Sequence, residues 1–240
     1  MMWNSKAVVF DLDDTLLSES NYFEAVLEEF CYIRGWPKST VSPIIENFKY
    51  IRFNKRDIFR YFLQQNKKYW SCGNKKADER IFFSLRNLLF DLYKNINTKI
   101  SPLDGAEDWI EYMQLNSCKI GVLTNGIAEA QYNKWRNLAL NNKSTIIFVA
   151  SRECGKEKPD SKSFIRISDK MGIGMKDITF VGDRFDNDLS FPLSQGSTGI
   201  LIQSDCNTNK ESDNFVIINN LSRAFDFFKK IHSSNAFSIY

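Results

Sequence analysis

A doubly wound parallel α/β sheet interrupted by a helical subdomain is the fold class this sequence predicts. Three observations predict it. Short, wholly apolar or β-branched runs recur along the chain, the pattern of strands buried on both faces. Helix-like stretches separate them, and several runs end in Asp, Thr or Gly. Between the first run and the second, residues 19–97 show no strand-like alternation, whereas a right-handed crossover needs only about a dozen residues.

Ala7–Phe10 opens the series as the first strand. Four stretches of helical period follow, each with an apolar stripe: Tyr22, Phe23, Val26, Leu27 and Phe30; Val41, Ile44, Ile45 and Phe48; Ile58, Phe59, Phe62 and Leu63; and Ile81, Phe82, Leu85, Leu88, Leu89 and Leu92. Gly35-Trp36-Pro37 and Ser71-Cys72-Gly73-Asn74 break the period between stretches. These aromatic stripes read as the core of a small bundle. The remaining strands are Ile120–Thr124, Thr145–Ala150, Ile178–Val181 and Gly199–Ile202, with Phe215–Ile218 as a strand at the edge. The domain reading is therefore a core of residues 1–17 and 98–240 with a helical insert of residues 18–97. In such sheets the ligand site lies beyond the carboxyl ends of the strands, where Asp11, Thr124 and Asp183 fall.

Composition narrows the function classes. The chain has 240 residues, and 32 Lys and Arg face 29 Asp and Glu, a net charge of +3 that is too small and dispersed to suggest nucleic acid as partner. No apolar run approaches the roughly 18 residues of a membrane span, and with the first ten residues feeding straight into the Asp cluster no cleavable leader is expected. The five cysteines, Cys31, Cys72, Cys118, Cys154 and Cys206, lack C-x-x-C spacing, so free thiols in a reducing cytoplasm are expected. The single histidine, His232, is expected to be exposed near the end of a last helix, which leaves acid–base work to carboxylates. The chain is expected to be a monomer or homodimer.

Asp11, Asp13 and Asp14 sit within four residues of one another. Two carboxylates about 4 Å apart at an effective dielectric near 20 repel by roughly 4 kcal/mol, so the cluster needs a cation, a shared proton or full solvation. Three further clusters follow later strands: Leu123-Thr124-Asn125-Gly126, then Gly155-Lys156-Glu157-Lys158-Pro159-Asp160, then Val181-Gly182-Asp183-Arg184-Phe185-Asp186-Asn187-Asp188. With these four in order over nearly the whole chain, the sequence resembles the haloacid dehalogenase-like hydrolase superfamily, in the group with a helical cap between the first two motifs.

That resemblance implies a Rossmann-like core and a Mg²⁺-dependent hydrolase of a small phosphorylated metabolite: a sugar phosphate, nucleoside monophosphate or small acid phosphate. Asp11 is then the nucleophile that forms an aspartyl-phosphate. Asp13 is the general acid and later the base, holding its proton because adjacent carboxylates favour the neutral form of one member. Thr124 with the N–H groups of Asn125 and Gly126, taken to open the following helix, binds phosphate. Lys158 pairs with Asp11 and phosphate, and Pro159 starts the next helix. Asp11, Asp13, Asp183 and Asp188 are the metal candidates, and an all-oxygen set suits Mg²⁺. Asp14 reads as a turn cap, Lys156 as a solvated neighbour and Asp186 as a loop residue beside Asp188. Two departures stand out: Arg184 replaces a small hydroxyl residue, and Phe191-Pro192 a small pair.

The superfamily alone does not fix the reaction. An acid at Asp13 points to phosphoryl transfer rather than dehalogenation, with a phosphosugar mutase or a non-catalytic phospho-ligand binder as the alternatives. A phosphonate hydrolase would need a Schiff-base lysine in the cap, and no context singles out Lys38, Lys49, Lys55, Lys67 or Lys68. The cap is expected to exclude water and choose the leaving group. Its cations Arg52, Lys55, Arg56 and Arg60 read mostly as a solvated face.

Overall fold

A computed structural model describes residues 5–54, 56–205, 210–212 and 214–236. Cys206 and Lys55 lie outside them. In chain order the first elements are β1 (Ala7–Phe10), α1 (Glu19–Arg34), α2 (Ser42–Glu46), α3 (Phe48–Phe53), α4 (Ile58–Gln65) and α5 (Lys75–Asn95). Next come α6 (Ala106–Leu115), β2 (Lys119–Thr124), α7 (Ala128–Asn137), β3 (Ile147–Ala150), α8 (Ser161–Met171) and β4 (Ile178–Gly182). The chain then forms α9 (Ser190–Ser194), β5 (Thr198–Ile202), β6 (Lys210–Glu211), β7 (Phe215–Ile218) and α10 (Leu221–Ala236). Two compact units result, one of residues 1–18 and 99–240, the other Glu19–Thr98.

The first unit is built on one sheet of strand order β3-β2-β1-β4-β5-β7-β6, parallel except for the β6–β7 pair. Central β1 pairs with β2 and β4 on its two sides, Phe10 lying level with Val122 and Val181. Every β1 side chain is buried, which explains why its sequence is an unbroken apolar run. Val9 packs on one face with Phe164, Ile167 and Met171 of α8. Phe10 meets Trp109 of α6 edge-to-face at 5.1 Å, and Trp109 packs against Phe228 of α10 at 5.3 Å. Helices thus cover both faces, the doubly wound arrangement expected. Phe215–Ile218 is not an edge strand: the two-residue β6 pairs outside it, too short to show any periodicity in sequence.

His232 also departs from expectation. It is half-buried, its Nδ1 is 3.1 Å from Tyr112 Oη, its Nε2 lies 3.7 Å from Cys118 Sγ, and its ring stacks on Phe228. Burial lowers its pKa, as for any imidazole withdrawn from water.

The second unit is helical. Tyr22 Oη of α1 donates to the Tyr93 carbonyl of α5, and Phe23 packs against Phe48, Phe59 and Tyr93 with ring centroids 5.0–5.4 Å apart. The stripe beginning at Val41 is split between α2 and α3 at Asn47, whose side chain turns back to the Pro43 carbonyl. Of its cations, Arg52 pairs with Glu19 and Arg56 lies over the Tyr61 ring, while Arg60 is exposed. No helix among the described residues is long and apolar enough to cross a membrane.

Candidate active site

Asp11 is the first residue past β1. Its N–H still donates to the Val181 carbonyl at 2.8 Å, so sheet pairing fixes its main chain just where the strand stops. Asp183 is likewise the first residue past its strand, β4. Asp188 reaches the same place by a different route, from a π-helical turn over Phe185–Leu189. Its Oδ2 accepts from the Arg184 N–H at 3.0 Å, which clasps the turn. Gly182 makes room for it: a Cβ there would lie 2.5 Å from the Asp188 Cβ and carboxylate.

Lys158 closes the group. Its Nζ lies 2.6 Å from both Asp11 Oδ1 and Asp188 Oδ1, and its side chain is 3% exposed. Asp11, Asp183 and Asp188 each offer an oxygen within 4.8 Å of the others. One buried ammonium faces three carboxylates, and the shortfall appears as perturbed acidity. Burial raises Asp11 to about 7, the Lys158 charge opposing it and Asp188 adding to it. Burial likewise raises Asp183 to about 8, reinforced by Asp11, Asp188 and Asp14. Burial works against the Lys158 charge, yet Asp11 and Asp188 push its pKa above the ordinary lysine value.

Asp13 stands apart from this trio. Its Oδ1 accepts from Lys134 Nζ at 2.7 Å and its Oδ2 from Gln131 Nε2 at 3.0 Å. Its carboxylate is not one of the three clustered oxygen donors. Nor is crowding by carboxylates its nearest environment, because both oxygens face hydrogen-bond donors. Asp14 adopts a left-handed φ of 56°, tolerable for its short polar side chain, and adds negative charge beside Asp183.

The phosphate-binding segment differs from its expectation in register. Helix α7 begins at Ala128, so Asn125 and Gly126 precede it rather than open it. Thr124 is buried at the end of β2, its hydroxyl turned to the Asn125 carbonyl at 3.3 Å. The Asn125 side chain ties two loops, its Oδ1 accepting from the Lys158 N–H and Ser151 Oγ and its Nδ2 donating to the Lys158 carbonyl. The Gly126 N–H donates to Glu157 Oε1 at 3.0 Å, and Arg152 holds the same oxygen. Pro159 does not start α8, which begins at Ser161 behind Asp160, whose carboxylate accepts from the Lys162 N–H. Asp186 is exposed in the turn, whereas Asp188 is 5% exposed.

The family profile described as haloacid dehalogenase-like hydrolase matches residues 8–191. The chain belongs to that family. Among curated relatives of this hydrolase is a glyceraldehyde 3-phosphate phosphatase from Methanopyrus kandleri, 28% identical over 77% of this chain and 78% of the relative. The HAD hydrolase YfnB from Bacillus subtilis, solved bound to magnesium, superposes with a TM-score of 0.63 at 17% identity, covering 93% of this chain and 98% of that one. A β-phosphoglucomutase from Clostridium difficile superposes at 0.54 and 14% identity, over 97% and 99% of the two chains. At these identities the two structures share the fold and leave the reaction open.

The donor set of this hydrolase suits a hard divalent cation. Asp11, Asp183 and Asp188 present oxygen only, and burial and mutual repulsion leave their charge incompletely balanced by Lys158. Three polar residues were not legible as site candidates: Gln131, Lys134 and Glu157. The signal for the first two is their spacing of three along α7, directly after Thr124-Asn125-Gly126, which places both on one face of the helix.

Proposed function

We propose that this hydrolase cleaves the phosphate monoester of a small metabolite with Mg²⁺, through an aspartyl-phosphate on Asp11. The observation that carries the reading is the Asp11–Lys158–Asp188 chain with Asp183 beside it, at the carboxyl ends of adjacent parallel strands. Lys158 holds the Asp11 carboxylate by one oxygen and leaves the other to attack phosphorus in line. Asp13 gives a proton to the departing oxygen, then takes one from the water that opens the acyl phosphate and releases inorganic phosphate. Asp11, Asp183 and Asp188 would hold Mg²⁺, which would supply positive charge against the phosphoryl oxygens. Thr124 and the Asn125 amide are assigned to the phosphate. The Gly126 amide joins them only by giving up Glu157.

The curated relatives, named glyceraldehyde 3-phosphate phosphatases, favour a short phosphorylated sugar or aldehyde over nucleoside monophosphates and small acid phosphates. The helical unit is assigned the choice of leaving group. The test is phosphate release from a panel of phosphorylated sugars, with EDTA and then with added Mg²⁺. Wild type should be silent in chelator and recover with the cation. Asp11→Asn should fold normally and retain less than about 1% of the turnover. A rate indifferent to EDTA, or an active Asp11→Asn, would refute the mechanism, and isomerised sugar without free phosphate would identify a mutase.

A further inference from the structure

Helix α7 buries the wrong side. Its buried residues are Ala130, Gln131, Asn133 and Lys134, whereas a helix packed for stability alone turns an apolar stripe inward. Lys134 is the extreme case, with a side chain 0% exposed. Withdrawing an ammonium from water costs several kcal/mol before any partner is found, and replacing a buried ion pair with hydrocarbon of similar volume is often neutral or stabilising. Gln131 adds a second expense: its Oε1 is buried with no hydrogen-bond partner. Packing therefore gives no reason for either residue.

Their geometry gives one. Three residues apart, they share a face of α7 and place one donor on each oxygen of the same carboxylate, that of Asp13. Two donors on two oxygens fix the carboxyl plane, which a single ion pair would leave free to rotate. The Gln131 amide also donates to the Asn125 carbonyl at 2.7 Å, so the Asp13 loop and the loop after β2 are held to one another. Asp13 keeps 18% of its side chain exposed. We propose that Lys134 and Gln131 are the positioning residues of the acid–base group, holding the Asp13 carboxyl in the one orientation from which it reaches the leaving-group oxygen. This rests on the reading of Asp13 as acid–base. Neither residue touches substrate, and both act through Asp13. Precise placement of a proton donor is where much of its catalytic value lies.

The test is the dependence of kcat/KM on leaving group, measured with Mg²⁺ across substituted phenyl phosphates from p-nitrophenyl to unsubstituted phenyl. Nitrophenolate departs without a proton, whereas phenolate needs one far more. Lys134→Met should lose about 100-fold on phenyl phosphate and less than about 10-fold on p-nitrophenyl phosphate. Gln131→Leu should show the same tilt at about 10-fold, and it decides the matter alone if Lys134→Met does not fold. The Lys134→Met, Asp13→Asn double variant should be no slower than Asp13→Asn. Equal losses on both substrates, or losses that multiply in the double variant, would make the two residues merely structural and overturn the inference. If Asp13→Asn tilts the series and the α7 variants do not, the positioning role alone falls. If Asp13→Asn itself leaves the slope unchanged, the acid–base reading falls and takes this inference with it.

Discussion

Raising the pH of the metal-free protein should destabilise it, and the acidic cluster sets both the sign and the size of the effect. Asp11 and Asp183 have folded pKa values near 7 and 8, above the ordinary 3.8. The folded chain therefore binds more protons than the unfolded one between about pH 4 and pH 8. Their stabilisation is complete below about pH 4 and is lost as pH climbs through 7 and 8. Each pKa unit is worth about 1.4 kcal/mol, so the rise at Asp11 alone amounts to about 4 kcal/mol. Because Asp183 is raised in part by Asp11, one repulsion is shared and the two shifts do not simply add. Burial is the larger cause of each rise, and repulsion within the cluster adds to it: two charges no more than 4.8 Å apart at an effective dielectric near 20 repel by at least about 3.5 kcal/mol. In a chain of this size that corresponds to about 10 °C in Tm. Thermal unfolding in EDTA between pH 5.5 and 8.5 reads it, with Asp183→Asn as the control that flattens the curve. Added Mg²⁺ should raise Tm more at pH 8.5 than at pH 5.5, since the cation takes over from the protons. A wild-type curve that runs parallel to Asp183→Asn would refute the electrostatic reading.

Lys158→Met should cost about 3–5 kcal/mol at pH 8, because Asp11 and Asp188 each lose a 2.6 Å ammonium contact while staying buried. The loss, read by urea unfolding, should shrink at pH 6 as the carboxyls take up protons, and a pH-independent loss would contradict it. Gly182→Ala should displace Asp188, since the new methyl would sit 2.5 Å from it. A fall of about tenfold or more in kcat and about 1–3 kcal/mol in stability is expected, and wild-type activity would show the turn to be slack.

The clustered carboxylates of the candidate site were legible for a physical reason. A strand buried on both faces is an apolar run, and Asp11 and Asp183 stand out because each ends such a run abruptly. Parallel register with β1 at the centre then brings those ends together. Lys158 was legible only through its Lys-Pro-Asp setting. What neutralises each acid is another matter, because charge compensation is settled by tertiary contact. Asp13 and Lys134 lie 121 positions apart, and nothing in the local pattern of α7 distinguishes a lysine that will be sealed from water from one bound for solvent. The same blindness explains Glu157 on the Gly126 amide and the half-buried His232. Local periodicity also overran where short polar side chains intervene: Asn47 divides one expected helix, and Asp160 delays α8 past Pro159. Sequence thus exposes charges that violate a strand pattern, while buried counter-charges on helices stay hidden. Here those hidden groups, Lys134 and Gln131, hold the Asp13 carboxylate by both of its oxygens.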